Sequence, residues 1–507
     1  MGTSGTKRGI RSTSTCCDVV SYVNIGERSG NSGVVVVAVV SLSAARRATR
    51  AGGVTKEEGP HIYFWLDSHR VCDPYRGFVE LALICRSAGV TLAARAKLLD
   101  TTDFLLSRAD LLRSLRTLTI GDEWLNGTIT ELFDVYTIPE FYAPVDLALV
   151  SLLREAENLR SLQIFRKNLT SALMQAISAT LHTLNIGLCS LHSGLRTDIS
   201  DNHIKPLTGV LNLYVSQGGL DHFNDPCYIL SLFPNIATLS LRGWSYTGDV
   251  DVAFGATIGF NPFATLERVC LDNFDWRAVG KLSRWIREAS GSEADPNLKL
   301  THFKIHCQWG MDHASFIELM DVLRLAPNMR ILALDGLMYG GVDIIDTIAD
   351  ACPQLEGLTL ILRDSERQSR RALVEWPHPS YEYAARFHRF LQLHHFGWNI
   401  KVDVFRQTCT PQSMTSFEDG FSGYREEEDD FDDSHIVAAS FAAHCSSLRT
   451  FAIVERLALV VCDIERASNG GFQLLKRELF AQQLDMEQWD PSMLRGCRWG
   501  PIEPSTR

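Results

Sequence analysis

Residues 315–362 read Ser315-Phe-Ile-Glu-Leu-Met-Asp-Val-Leu-Arg-Leu-Ala-Pro-Asn-Met-Arg-Ile-Leu-Ala-Leu-Asp-Gly-Leu-Met-Tyr-Gly-Gly-Val-Asp-Ile-Ile-Asp-Thr-Ile-Ala-Asp-Ala-Cys-Pro-Gln-Leu-Glu-Gly-Leu-Thr-Leu-Ile-Leu362. Phe316, Leu319, Met320 and Leu323 fall at i, i+3, i+4 and i+7, one apolar face of a helix, and Ser315 and Glu318 have the spacing of a capping box. Pro327 ends that segment, and Met329-Arg-Ile-Leu332-Ala-Leu334 then places apolar side chains at positions one, four and six. A second amphipathic segment (Ile344, Ile345, Ile348, Ala351) leads through Pro353 to Leu355-Glu-Gly-Leu358-Thr-Leu360, where the same spacing returns. Pro327 and Pro353 are 26 residues apart, enough for one strand and one helix per unit.

The spacing recurs along the chain. It begins at Leu115, Leu159, Leu181, Val210, Ile236, Leu266 and Leu300, then at Met329 and Leu355, and once more at Leu448. Leu181-x-x-Leu184-x-Ile186-x-x-Cys189 is the fullest version, and Pro234, Pro327 and Pro353 each precede a polar residue and then the first apolar position. In a chain that is 45% hydrophobic one such match means nothing, whereas ten, three of them with a shared lead-in, are hard to obtain by chance. The pattern resembles a divergent leucine-rich-repeat array of the longer, helix-containing, ribonuclease-inhibitor-like kind, with intervals up to Leu355 from 22 (Leu159 to Leu181) to 44 residues (Leu115 to Leu159) and a long interruption before Leu448. The fold expected is an α/β solenoid with a parallel sheet on its concave side and helices outside. Parallel strands stack about 4.8 Å apart and helices about 8 to 10 Å, so such a stack bends toward its sheet.

With 507 residues and a net charge of −11, the chain has no blanket attraction for nucleic acid or anionic membrane. Its 13 cysteines form no C-x-x-C pair, which points to reduced thiols and a cytoplasmic or nuclear location. Residues 1–57 are rich in Ser, Gly, Arg and Val and read as mostly disordered. The run Val34 to Val40 is too short to span a membrane. Residues 363–435 read as an irregular insertion carrying seven acidic residues between Glu426 and Asp433, with Tyr381 to His395 helical and an alternating strand from Trp398. Residues 436–507 hold the last repeats and a cap, with a closing helix over Phe472 to Leu484. No nucleotide-binding, nucleophile-elbow or zinc-protease motif occurs, and His388, His394 and His395 lack the companions of a metal site. No cofactor and no catalytic residue is expected.

Residues 58–110 precede the array, which is expected over 111–362. Within them Phe78-Val-Glu-Leu81-Ala-Leu83-Ile84-Cys85-Arg86-Ser87 reads as a helical apolar run and resembles the second half of an F-box, partial because Ala88 stands where that family has Trp. The resemblance implies that Phe78, Leu81, Ile84 and Cys85 contact the adaptor subunit of a cullin-type ubiquitin ligase while the repeats hold a protein substrate. The alternative for these residues is a helical cap on the first repeat.

Side chains between the leucines point away from the helices, because strand side chains alternate. On the concave face this places Arg242, Asp272, Lys304, His306, Asp335 and Thr359, a row of mixed charge suited to a protein partner. Trp244, Phe274 and Trp309 follow their strands as aromatic anchors or as residues buried under the next loop. The function expected is a non-catalytic substrate-recognition subunit of a ubiquitin ligase. The alternative is a leucine-rich scaffold or regulatory binding module with no ligase link.

Overall fold

In the computed structural model the described residues are 37–40, 62–65, 79–85, 92–122, 139–165, 167–187, 189–201, 203–216, 229–243, 260–292, 295–296, 298–363, 374–401, 433–454, 458–468 and 470–480. Among them, one sheet of 16 strands dominates. Its strands are Val37–Val40 (β1), Ile62–Trp65 (β2), Val79–Cys85 (β3), Leu115–Asp122 (β4), Ser161–Phe165 (β5), Thr183–Gly187 (β6), Asn212–Ser216 (β7) and Thr238–Arg242 (β8). Arg268–Phe274 (β9), His302–Met311 (β10), Ile331–Leu337 (β11), Gly357–Leu362 (β12), His395–Trp398 (β13), Thr450–Val454 (β14), Ala458–Arg466 (β15) and Phe472–Phe480 (β16) complete it. Apart from β2, which lies outside β1, the strands stand in chain order. Every neighbouring pair from β3 to β14 is parallel. β1–β2, β14–β15 and β15–β16 are antiparallel.

The register explains the sequence pattern. The fourth position of each unit pairs with the fourth of the next, as in Leu213↔Leu239↔Val269↔Phe303↔Leu332↔Leu358, and the sixth pairs with the sixth. Both rows are buried throughout: Leu239, Phe303, Leu332, Leu334, Leu358 and Leu360 are all closed to solvent. Burying one such side chain contributes about 1.5 to 3 kcal/mol, and no single strand can achieve it alone.

Helices fill the intervals. Leu92–Ser107 (α1), Ala109–Ser114 (α2), Pro139–Glu155 (α3), Ser171–Gln175 (α4) and Ser193–Ser200 (α5) accompany the early strands. Val279–Ser290 (α6), His313–Leu323 (α7) and Asp343–Ala351 (α8) connect β9 to β12 and pack in sequence. Ser380–Ala384 (α9) and Asp433–His444 (α10) follow. Phe316, Leu319, Met320 and Leu323 of α7 and Ile344, Ile345 and Ile348 of α8 form the buried faces read from the sequence. The cap of α7 lies earlier than expected, because Asp312 accepts the Ser315 N–H at 2.8 Å.

Three expected helices differ. Val79–Cys85 is a strand whose Leu81 and Leu83 pair with Leu118 and Ile120 of β4, so Leu81, Ile84 and Cys85 belong to a rung of the ladder rather than to a docking helix; Phe78 lies outside the described residues. The spacing Phe78-x-x-Leu81-x-Leu83 is itself the repeat key. Helix is confined to Ser380–Ala384 and a single turn at Phe387–Arg389 within 381–395, and Leu393-x-x-Phe396-x-Trp398 supplies a further rung through β13. Phe472–Phe480 is an edge strand, extended against β15 over nine pairs. The acidic run up to Asp432 and Trp244 lie outside the described residues.

Candidate functional site

The strand ends of β8 to β12 bring four charged side chains and one histidine into one line on the face opposite the helices. Arg242 Nε lies 3.3 Å from Asp272 Oδ2, and Asp272 Oδ1 lies 2.7 Å from His306 Nδ1. Arg363 Nη2 lies 2.6 Å from His306 Nε2 and 3.6 Å from Asp335 Oδ1. A guanidinium only donates, so the Nε2 of His306 accepts from Arg363 and its Nδ1–H is directed at Asp272. Both ring nitrogens of His306 are thereby engaged, and neither is presented to a substrate proton.

Exposure falls steeply along this line. The side chain of Arg242 is 57% exposed, those of Asp272 and His306 are 20% and 19%, and those of Arg363 and Asp335 are 3% and 0%. Gly336 makes the buried end feasible. Its φ is +104°, and a Cβ there would stand 2.4 Å from the Cys307 carbonyl oxygen and 3.2 Å from Arg363 Nε. Any larger residue would collide with the strand and displace the guanidinium.

Of the six residues expected to form an open binding row, Arg242, Asp272 and His306 are accessible to different degrees, whereas Lys304, Asp335 and Thr359 are buried. As they stand, those three offer no surface to a partner. Alternation along a strand assigns a face and leaves its exposure open. On β11 and β12 the side chains of Ile331, Ala333 and Ile361 on that same face are buried too. Arg363 was not among the expected site residues. Its only signal is its place just after Leu355-x-x-Leu358-x-Leu360, at the ninth position that Cys189 holds in its own unit. Cys189 is buried there and directs its Sγ to the Ile164 carbonyl oxygen of β5 at 3.4 Å, closing its turn onto the preceding rung.

Two histidines mark the other end of the strands. Burial, and then the nearby charges of Arg268, Arg330 and Lys304, push His302 down to about 3. Burial, and then His394 and Arg449, push His395 down to about 4, and its Nδ1 lies 2.6 Å from Thr450 Oγ1. No group of three or more His, Cys, Asp or Glu side chains able to hold a metal occurs among the described residues. Cys189, Cys270, Cys307, Cys352, Cys445 and Cys462 are buried thiols, and burial pushes Cys352 up to about 12. Such thiols are poor nucleophiles. Of the aromatic residues expected near the strand ends, Phe274 is buried and Trp309 is 50% exposed.

No family model matches the chain, and no curated protein matches it. Among solved structures it is similar to the crystal structure of a TLR13–ssRNA13 complex, at 12% identity over 63% of this chain and 40% of that one, with a TM-score of 0.28. The chain thus spans well under half of that structure's length, and the superposition is too loose to add to what the ladder shows. No helix among the described residues is long and apolar enough to cross a membrane.

Removing Arg363 leaves the Asp335 carboxylate buried beside an emptied position, so Arg363→Gln is expected to lower unfolding free energy by about 3 to 5 kcal/mol. Arg242→Gln at the exposed end is expected to change it by less than about 1 kcal/mol. Urea unfolding of both variants measures the contrast, and equal losses would contradict it. His302 gives a pH dependence of known sign. The unfolded chain takes up its proton near pH 6.5 and the folded chain only near 3, so stability falls as pH is lowered through that window. Between about pH 7 and pH 5 the melting temperature of His302→Gln should therefore fall less than that of the unaltered protein. Parallel curves would show that His302 titrates normally in the fold.

Proposed function

We propose that this protein is a non-catalytic binding module, a leucine-rich-repeat-like solenoid that holds a protein or peptide partner at the accessible end of its inner-face charge line. The observation that carries the reading is the Arg242–Asp272–His306 line, mounted on three successive rungs and opening to solvent at Arg242. Rigid strands fix these groups before a partner arrives, so less conformational freedom is lost on binding. The buried thiols fit a reducing compartment, cytoplasmic or nuclear.

The substrate-recognition role in a ubiquitin ligase draws less support. It requires a helical docking element, and the segment from which that element was expected runs as β3 within the ladder. A scaffold or regulatory binding role needs no such element.

Selection of displayed random peptides on the full-length protein tests the proposal. Peptides should be enriched whose capture drops at least about tenfold on Arg242→Glu, the loss of a charged contact at an interface. No enrichment would remove the binding role. Enrichment indifferent to Arg242 would move the site elsewhere. In the same assay format, retention of the ligase adaptor by the full-length protein, lost on Leu81→Asp with the melting curve unchanged, would restore the ligase reading.

A further inference from the structure

The loops that follow β9 and β10 carry groups the charge line does not use. Cys307 of β10 stands opposite Phe274 of β9, and the turn at Trp276–Ala278 packs against the end of β10, so Arg277 and Trp309 occupy neighbouring rungs of one rim. Trp309 is half exposed although its backbone is firmly held. Cys307 and Met311 on either side of it are fully buried, and Gly310, with φ +85°, leaves room for the Met338 side chain, which a Cβ would meet at 2.4 Å. An indole kept half in solvent by an ordered turn forgoes part of the stabilisation that burying it would contribute. Tryptophan and arginine are also the residues most enriched where partners bind tightly.

The charges on this rim share one orientation. Asp275 is buried, accepts the Arg277 N–H at 3.1 Å, and holds the Arg277 guanidinium in a fork, with Nε at 3.0 Å and Nη2 at 2.5 Å. The Arg277 side chain is nevertheless 57% exposed, the same fraction as Arg242 one strand away. In both pairs the carboxylate faces inward and the guanidinium outward, so the surface presents positive charge on a chain of net −11. Each guanidinium is fixed in direction by its carboxylate before anything binds.

We infer that this rim, formed by Trp309, Arg277 and Arg242, docks an extended acidic segment of a partner protein, with carboxylates on the outer faces of the two guanidiniums and an apolar side chain against the indole. The inference rests on the binding-module reading and gives its partner a chemistry. A peptide with alternating acidic and apolar residues matches the patch, because the two cations stand one rung apart with the indole on the next rung, and two anions with a neighbouring hydrophobe meet all three. A nucleic acid strand fits less well. Its continuous phosphates would also face Asp272, 20% exposed on the same line, and the net negative charge of the whole chain.

Fluorescence anisotropy of the full chain with a labelled peptide of about eight residues alternating Glu and Leu tests this, the length being enough to cross the rim. Binding should weaken about tenfold or more in Trp309→Ala and in Arg242→Gln, fall with added salt, and be absent for a Lys-Leu peptide of equal length. Both substitutions are at exposed side chains, and unchanged melting curves would show that the fold persists. Equal binding of both variants, equal binding of the Lys-Leu peptide, or no binding by the unaltered protein overturns the inference. Tighter binding of a single-stranded oligonucleotide, lost in Trp309→Ala, overturns it in favour of nucleic acid. The peptide selection separates this failure from the larger one: if other peptides are enriched while the Glu-Leu peptide fails, the binding role stands and the acidic partner falls.

Discussion

A strand in a parallel ladder can satisfy neither its backbone groups nor its apolar side chains without the strand on each side. Everything described above depends on that mutual requirement. The fourth and sixth positions of successive units meet in register, from Leu118 and Ile120 in β4 to Phe451 and Ile453 in β14, and exclude water as two continuous rows. Because the rows are continuous, the side chains between them are also brought into line, and that line places Arg242, Asp272 and His306 within contact of one another from positions more than 60 residues apart. The site is a by-product of the register.

Much of this was legible in the sequence, for a physical reason. Positions one, four and six face the helices on every rung, so selection for burial writes the same spacing repeatedly, and all ten quoted units lie on the ladder. The two parallel rungs outside the quoted units, β3 and β13, carry aromatic residues at key positions, Phe78 in one and Phe396 with Trp398 in the other. Phe396 and Trp398 are buried at the same key positions as the aliphatic residues of other rungs, but aromatic side chains blur a pattern keyed on leucine. Val79–Cys85 and Phe472–Phe480 are short apolar runs with mixed periodicity, where helix and strand patterns are hard to separate without knowing the neighbours. Tertiary pairing decided both in favour of strands.

The site was legible as a face and illegible as a surface. Alternation assigns Lys304, Asp335 and Thr359 to the side away from the helices, but all three are buried, because solvent access depends on everything packed nearby, which no local spacing records. Arg363 shows the complementary limit. It lies beyond the last leucine of its unit and acts on His306, 57 residues earlier, through a turn whose geometry depends on Gly336. Only the stacked rungs reveal that contact. The exposed Trp309 and the two outward guanidiniums are of the same kind, single residues given meaning by adjacent loops.

The interior rungs should be the most persistent part of the molecule, since each is supported on both sides. Amide hydrogen exchange of the full chain, read by mass spectrometry, tests that most directly. If the ladder is the organising structure, segments covering β8 to β12 exchange slowest and open together with α6 to α8, while the edge strands β2 and β16 exchange first. Rapid exchange of 331–337 and 357–362 while 313–323 remains protected would mean that the helices stand without the sheet, and would contradict the account at its centre.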